Sequence, residues 1–240
     1  MQYGKLIGAG HTASIYEWGA EKVVKLFQQG YPEDAVKREF HNAMVIRDMD
    51  FLKPKAYELV DIGCQNGIIY DRIDGESLLD WLMKTGDLQA CAYYMAELHK
   101  RIIQNKAEDI PDYKHFLSYH LNAASAPDPE KKELLQKLGR LPEGNTLCHG
   151  DFHPGNIMIS DGRLYVIDFM NICRGSCLYD IARTVFLVEY TPVPEEADNK
   201  ELLLHYKKTL TDLYLANMKL TREMLQDYLE IIIAARAGEM

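Results

Sequence analysis

The chain has 240 residues, 47% of them hydrophobic and 26% charged, which suffices for one large domain or two small lobes with a real core. A formal net charge of −9 argues against non-specific binding of nucleic acid, and no apolar run approaches the roughly 18 residues that a bilayer span needs. The opening MQYGKLIGAG lacks the basic and then apolar pattern of a secretory leader, and five scattered cysteines without a C-x-x-C pair speak against a zinc ribbon or a disulfide framework. The expectation is free thiols in a reducing cytoplasm.

In chain order, KLIGAG, ASIYEW and EKVVKLF are short apolar runs broken by glycine and are predicted strands. YPEDAVKREFHNAMVIRDM follows as a predicted helix, with Pro32 in its first turn, Glu33 and Asp34 at the positive end of its dipole, and Val36, Phe40, Ala43 and Met44 at helical spacing. AYELVDIG and GIIYDRI are predicted strands flanking Gln65-Asn66-Gly67, a hairpin signal. After Asp74-Gly75 the texture becomes helical: ESLLDWLMKTG, DLQACAYYMAELHKRIIQ, and further segments to about Gly139, interrupted by SAPDP. Then come the loop LCHGDFHPG, a strand NIMIS, an Asp-Gly turn, a strand LYVIDF, and helical stretches over 178–190 and 199–237. Residues 1–73 carry 9 Lys and Arg against 10 Asp and Glu. Residues 74–240 carry 18 against 26, so the helical part is net −8.

Three constellations carry chemistry. GAGHTASIY places Gly8, Gly10 and Ala13 in a G-x-G-x-x-A pattern; a strand follows it instead of the helix of a dinucleotide fold. A glycine loop inside a hairpin lets backbone N–H groups approach a phosphate without Cβ obstruction. Lys25 lies inside the apolar run KVVKLF, where an ammonium needs a partner, and Glu39 on the following helix is the nearest candidate. In HGDFHPGN and VIDF, Asp151 can accept a proton from an attacking hydroxyl, while Asn156 and Asp168 offer the oxygen ligands that Mg²⁺ prefers. Asp168 stands at the end of an apolar strand, where a buried carboxylate needs a metal or a donor. The alternation of His149, Asp151 and His153 can also be read as a zinc site, but that leaves Asn156, Asp168, Lys25 and the glycine loop unexplained; His149 is then a packed histidine supporting the loop.

With these motifs on the page, the sequence resembles the aminoglycoside phosphotransferase and choline kinase family, whose fold is the bilobal protein-kinase-like one. The likeness runs from LIGAGHTASIY through VVKLF, YDRIDGESL, AELH and LCHGDFHPGNIMI to VIDFMNICRGSCLYDIAR. It implies an α+β fold with a β-rich nucleotide lobe of residues 1–73 and a helical lobe of 74–240, with ATP between them. It implies ATP- and Mg²⁺-dependent phosphorylation of a small-molecule hydroxyl. By motif, Asp151 matches the catalytic base, Asn156 and Asp168 the magnesium ligands, and Lys25 and Glu39 the phosphate-positioning pair. YDRI matches the hinge, where the backbone of Asp71, Arg72 and Ile73 meets adenine, and Asp180 in LYDIAR matches a buried aspartate that steadies the catalytic loop.

Asn171 stands where many relatives have an acidic residue, which leaves one or two metal ions open, and the chain is short for the family. The acceptor is expected to be a small polar molecule, cationic by the charge of the helical part, with Glu189 and Tyr190 as candidate contacts. No nucleic-acid or membrane partner is expected. The alternative is a catalytically silent nucleotide-binding module acting through partners, against which stands the presence of Lys25, Glu39, Asp151, Asn156 and Asp168 together.

Overall fold

The computed structural model describes residues 3–193 and 199–238. The fold is α+β, with a sheet-based first part and a mainly helical second part. Its two compact units are residues 1–76 with 158–171, and residues 77–157 with 172–240.

The first unit is built on a five-stranded antiparallel sheet of β1 (Leu6–Ala9), β2 (Ala13–Glu17), β3 (Lys22–Phe27), β4 (Ala56–Ile62) and β5 (Gln65–Asp71), in the order β1-β2-β3-β5-β4. One helix, α1 (Glu33–Val45), lies between β3 and β4 in sequence, so the expected order of three strands, a helix and two strands is borne out. β3 is central and buried along Val23–Phe27, which is why its run is almost continuously apolar. Proline at the N-cap, then Glu33 and Asp34, start α1 as expected. The β4–β5 turn is not where the Gln65-Asn66-Gly67 signal put it: Ile62 pairs with Gln65, and the two-residue turn is Gly63-Cys64, with Gly63 at φ +63°. Asn66 and Gly67 are strand residues, and Gly67 belongs there because a Cβ would come within 3.0 Å of Val24.

The unit does not end where the composition changes. The strands β8 (Ile157–Ser160) and β9 (Arg163–Val166) form a hairpin whose Asp161 and Gly162 both take positive φ, the mirror-image turn that suits strand twist. Nearly all of this hairpin and the segment through Asn171 belong to the first unit, tied to it by the Val166 N–H to Leu52 O (2.9 Å). The expected linear division at residue 74 differs from these compact units in residues 158–171. LYVIDF also stops being a strand at Val166: Asp168 has φ +66°, which no extended strand accommodates.

The second unit contains α2 (Leu78–Thr85), α3 (Leu88–Ile103), α4 (Tyr113–Ala123), α5 (Asp128–Arg140), α6 (Cys177–Val185), α7 (Lys200–Met218) and α8 (Gln226–Arg236). Two three-residue strands, β7 (Thr146–Cys148) and β10 (Cys173–Gly175), pair antiparallel; β6 is the two-residue strand Glu76–Ser77. Ser77, Asp87, Asp112 and Ser176 each accept a backbone N–H as N-caps, which fixes the starts of α2, α3, α4 and α6. The expected helix over 178–190 changes at Phe186 into a π-helical turn, Phe186–Tyr190. The one over 199–237 breaks after Met218, where Lys219 adopts the left-handed conformation. The buried face of α3 holds Cys91, Met95, His99 and Ile102, and α3 packs mainly on α7. Among the described residues, no helix is long and apolar enough to cross a membrane.

Candidate active site

In the first unit, Gly8 lies in β1, Gly10 in the turn and Ala13 at the start of β2, with the Gly10 N–H bonded to Ala13 O (2.9 Å). A Cβ on Gly8 or Gly10 would meet nothing closer than 3.5 Å, and neither residue has a positive φ. The fold itself therefore has room for a side chain at both positions.

Lys25, on β3, is only 9% exposed. Its Nζ donates to both carboxylate oxygens of Glu39 on α1 (2.8 and 3.0 Å) and to Asp168 Oδ1 (3.1 Å). Burial pulls the lysine pKa down, but the carboxylates of Glu39 and Asp168 more than offset it, so Lys25 stays charged. Glu39 is 1% exposed and also accepts from Tyr70 Oη (3.1 Å); burial pushes its carboxyl up and Lys25 opposes that push. Asp168 is not the buried carboxylate expected from its apolar neighbours: its side chain is 38% exposed, and Lys25 is a donor to it. Two residues of the expected hinge have their N–H groups committed to the sheet, Asp71 to Lys55 O (3.0 Å) and Arg72 to Glu21 O (2.9 Å). Ile73 N–H has no partner among the described residues.

In the second unit, the loop after β7 is organised from below by Asp180 on α6, which is fully buried. Its two oxygens accept the N–H groups of His149 (2.7 Å) and Gly150 (2.8 Å), and its Oδ2 meets Nε2 of His99 at 2.9 Å. His99 Nδ1 lies 2.5 Å from the hydroxyl of Tyr214 on α7. Burial would raise the Asp180 pKa, but the His99 imidazole, the Gly150 N–H and the nearby His149 outweigh it and hold the carboxyl below its ordinary value. Gly150 takes φ +75°, and its carbonyl accepts from Arg183 Nε (3.2 Å), so the chain turns at the one residue that does so without strain. His149 is 1% exposed, and its Nδ1 accepts the Asp151 N–H at 3.3 Å, a packed histidine supporting the loop.

Asp151 is thereby presented with its side chain 25% exposed. Asn156 holds it through Nδ2, which donates to Asp151 O (2.9 Å) and Oδ2 (3.0 Å). This bonding turns the Asn156 Oδ1 away as an acceptor. His153 Nδ1 accepts the Gly155 N–H (3.1 Å), and its Nε2 is 3.9 Å from Asp151 Oδ2. Among the described residues, no three His, Cys, Asp or Glu side chains are grouped to hold a metal ion. Asp168 in the first unit and Asn156 in the second each carry a hard oxygen, the donor type that Mg²⁺ prefers and zinc does not require.

The acceptor candidates look different from expectation. Glu189, on the π-helical turn, pairs with Arg222 (2.7 Å), which also pairs with Asp212 (2.7 Å), so its charge is already matched. Tyr190 is 46% exposed and stacks on Phe186.

Sequence reasoning did not single out His99, Tyr214 or Asn42. For His99 a signal existed: it falls on the apolar stripe of α3, four residues after Met95 and three before Ile102, where a buried imidazole needs partners. Asn42, 1% exposed on α1, follows Glu39 by one turn and so shares its inward face. Tyr214 carries no local mark.

A model of the phosphotransferase enzyme family matches residues 4–209. A comparison with curated proteins found no match. Among solved structures, the amicoumacin kinase hAmiN, in complex with AMP-PNP, Ca²⁺ and amicoumacin, is similar at a TM-score of 0.63 and 18% identity over 98% of this chain and 79% of that one. The aminoglycoside phosphotransferase APH(3'')-Id from Streptomyces rimosus, with ADP and streptomycin, gives 0.62 and 15% over 92% and 90%. The aminoglycoside-3'-phosphotransferase of type VIII gives 0.63 and 14% over 97% and 93%.

Proposed function

Since the chain belongs to the phosphotransferase enzyme family, we propose that it transfers the γ-phosphate of ATP to a hydroxyl of a small, polar, cationic acceptor with the help of Mg²⁺. The observation that carries this reading is Lys25, a buried ammonium shared between Glu39 and Asp168. A protein gains little stability from burying such a charge; the arrangement suits a lysine aimed at phosphates. The glycine loop supports it, because the fold leaves room for a Cβ at Gly8 and Gly10 and the need for glycine falls on a ligand. Ile73 N–H serves as the backbone donor to adenine. The neighbouring structures solved with AMP-PNP and with ADP support the choice of nucleotide.

Each residue then has a task. Lys25 offsets phosphate charge and Glu39 fixes its direction. Asp168 offers Mg²⁺ a carboxylate oxygen and Asn156 a carboxamide oxygen; when bound, the ion neutralises charge on the phosphates. Asp151 orients the acceptor hydroxyl and takes its proton. Its Oδ1 has no partner among the described residues, while Asn156 occupies Oδ2. Little covalent help from the protein is needed, since positioning and charge supply most of the rate. The net −8 of residues 74–240 favours a cationic acceptor, and five free cysteines suit a cytoplasmic setting.

The test is turnover of Mg·ATP across a panel of small alcohols, with matched amine-bearing and carboxylate-bearing members at low and high salt. Amine-bearing alcohols are expected to win, with an advantage that shrinks as salt rises. A carboxylate preference overturns the charge argument alone. ATP binding without turnover on any member overturns the kinase reading in favour of a silent nucleotide-binding module.

A further inference from the structure

The inner face of α1 buries two polar side chains one turn apart, Glu39 and Asn42, each 1% exposed. Glu39 is accounted for by Lys25. Asn42 is not used by anything described so far. Its Nδ2 donates to two successive carbonyls, Phe169 O (2.9 Å) and Met170 O (3.2 Å), directly after Asp168. Its Oδ1 is buried with no hydrogen-bond partner among the described residues. A leucine of nearly the same shape would avoid that orphaned oxygen, so stability of the helix alone does not explain an asparagine here.

What the amide does hold is a strained turn. Asp168 sits at φ +66°, a conformation that costs a residue with a Cβ. Left to itself the segment after Val166 would relax toward extended backbone and re-aim the carboxylate. Two amide bonds fasten the carbonyls that follow Asp168, and Lys25 fastens the carboxylate itself. Tyr31 Oη, which donates to Met170 Sδ (3.2 Å), adds a fourth contact to the segment. Resting on the reading that Asp168 is a metal ligand, we propose that Asn42 is its positioning residue: its amide holds the Asp168 turn in the left-handed geometry that directs the carboxylate to Mg²⁺. α1 thus sets both the phosphate-facing lysine, through Glu39, and the metal-facing aspartate, through Asn42.

The experiment compares wild type, Asn42→Leu and Asn42→Ser by calorimetric titration of ADP, with and without Mg²⁺, and by hydrogen exchange over residues 163–173. Outer-sphere partners of metal ligands are typically worth about 10–100-fold in metal affinity. Asn42→Leu is therefore expected to raise the Mg²⁺ concentration needed for tight ADP binding by about tenfold or more. Metal-free ADP binding should stay unchanged and exchange at the Asp168 turn should quicken. Asn42→Ser, which keeps one donor, should fall between, and it carries the test alone if the leucine variant does not fold. A purely structural asparagine would lower the melting temperature and leave the Mg²⁺ requirement where it was; that result overturns the proposal. Wild type binding ADP with no dependence on Mg²⁺ would instead overturn the kinase reading on which the proposal rests.

Discussion

Two carboxylates are buried to the same degree in the two units, and they answer burial in opposite ways. Glu39, 1% exposed, faces one ammonium and one phenol, and its pKa is pushed up. Asp180, fully buried, faces two backbone N–H groups and an imidazole, and its pKa is pulled down. The ammonium is the stronger single partner, yet Lys25 is divided between Glu39 and Asp168. Two of the donors to Asp180 are N–H groups held in place by the loop they belong to, and the third partner, the His99 imidazole, is fixed from its other nitrogen by Tyr214. The first network is open, built around a cation with a further task; the second is closed, built to keep a loop still.

Four substitutions break or sharpen this contrast. Asp151→Asn acts on what the closed network presents: turnover should fall by about 10²–10⁴-fold, with nucleotide affinity measured by calorimetry nearly unchanged. Wild-type turnover in this variant would remove Asp151 from the mechanism.

Lys25→Met breaks the open network. Removing one partner of a buried pair costs about 3–5 kcal/mol, and here the loss should depend on pH. Without the lysine, Glu39 has a folded pKa raised above its unfolded value. Its carboxyl then disturbs the fold least at low pH, and stability is lost as pH rises through the raised value. Urea unfolding should show a wider gap from wild type at pH 8 than at pH 5, and Lys25→Met with Glu39→Leu should recover most of it.

Asp180→Asn breaks the closed network with the opposite sign. An amide turns one acceptor into a donor that faces N–H groups, for about 1–3 kcal/mol. Wild-type Asp180 has a depressed folded pKa, so its contribution is present above its ordinary value of 3.8 and lost as pH falls below it. The gap between variant and wild type should be full at pH 7 and close toward pH 3, together with a lower kcat at neutral pH. The smallest effect belongs to Glu189→Gln, which loosens the partly exposed pair with Arg222 and should change stability by no more than about 1 kcal/mol. A large loss in acceptor kcat/KM in that variant would restore Glu189 as an acceptor contact.

Much of this was legible in the sequence for local reasons. The order of N-terminal elements along the chain followed from short apolar runs broken by glycine, and HGDFHPGN stood out because four polar side chains, His149, Asp151, His153 and Asn156, crowd into eight residues before a strand. What escaped was long-range or conformational. β7 and β10 are three residues each and exist only because they pair across 24 residues of intervening chain. The strand before Asp168 was read three residues too far because Ile167 and Phe169 are apolar, while the left-handed Asp168 is contacted from α1 and β3. His99 and Tyr214 act on the loop through Asp180, over separations of 81 and 115 residues that no local pattern spans.

The left-handed Asp168 also bears on how this chain can change. Judged by conformation alone, glycine is the better residue there, since it adopts φ +66° freely, and asparagine is at least as good as aspartate. A search for more heat-resistant variants would therefore be drawn to position 168, and under the proposed role of Asp168 as a metal ligand the variants it collects would gain an easier backbone while losing phosphate transfer and the bond to Lys25. The chain carries the less comfortable residue, and under the same proposal that backbone angle marks where it gives up durability for chemistry.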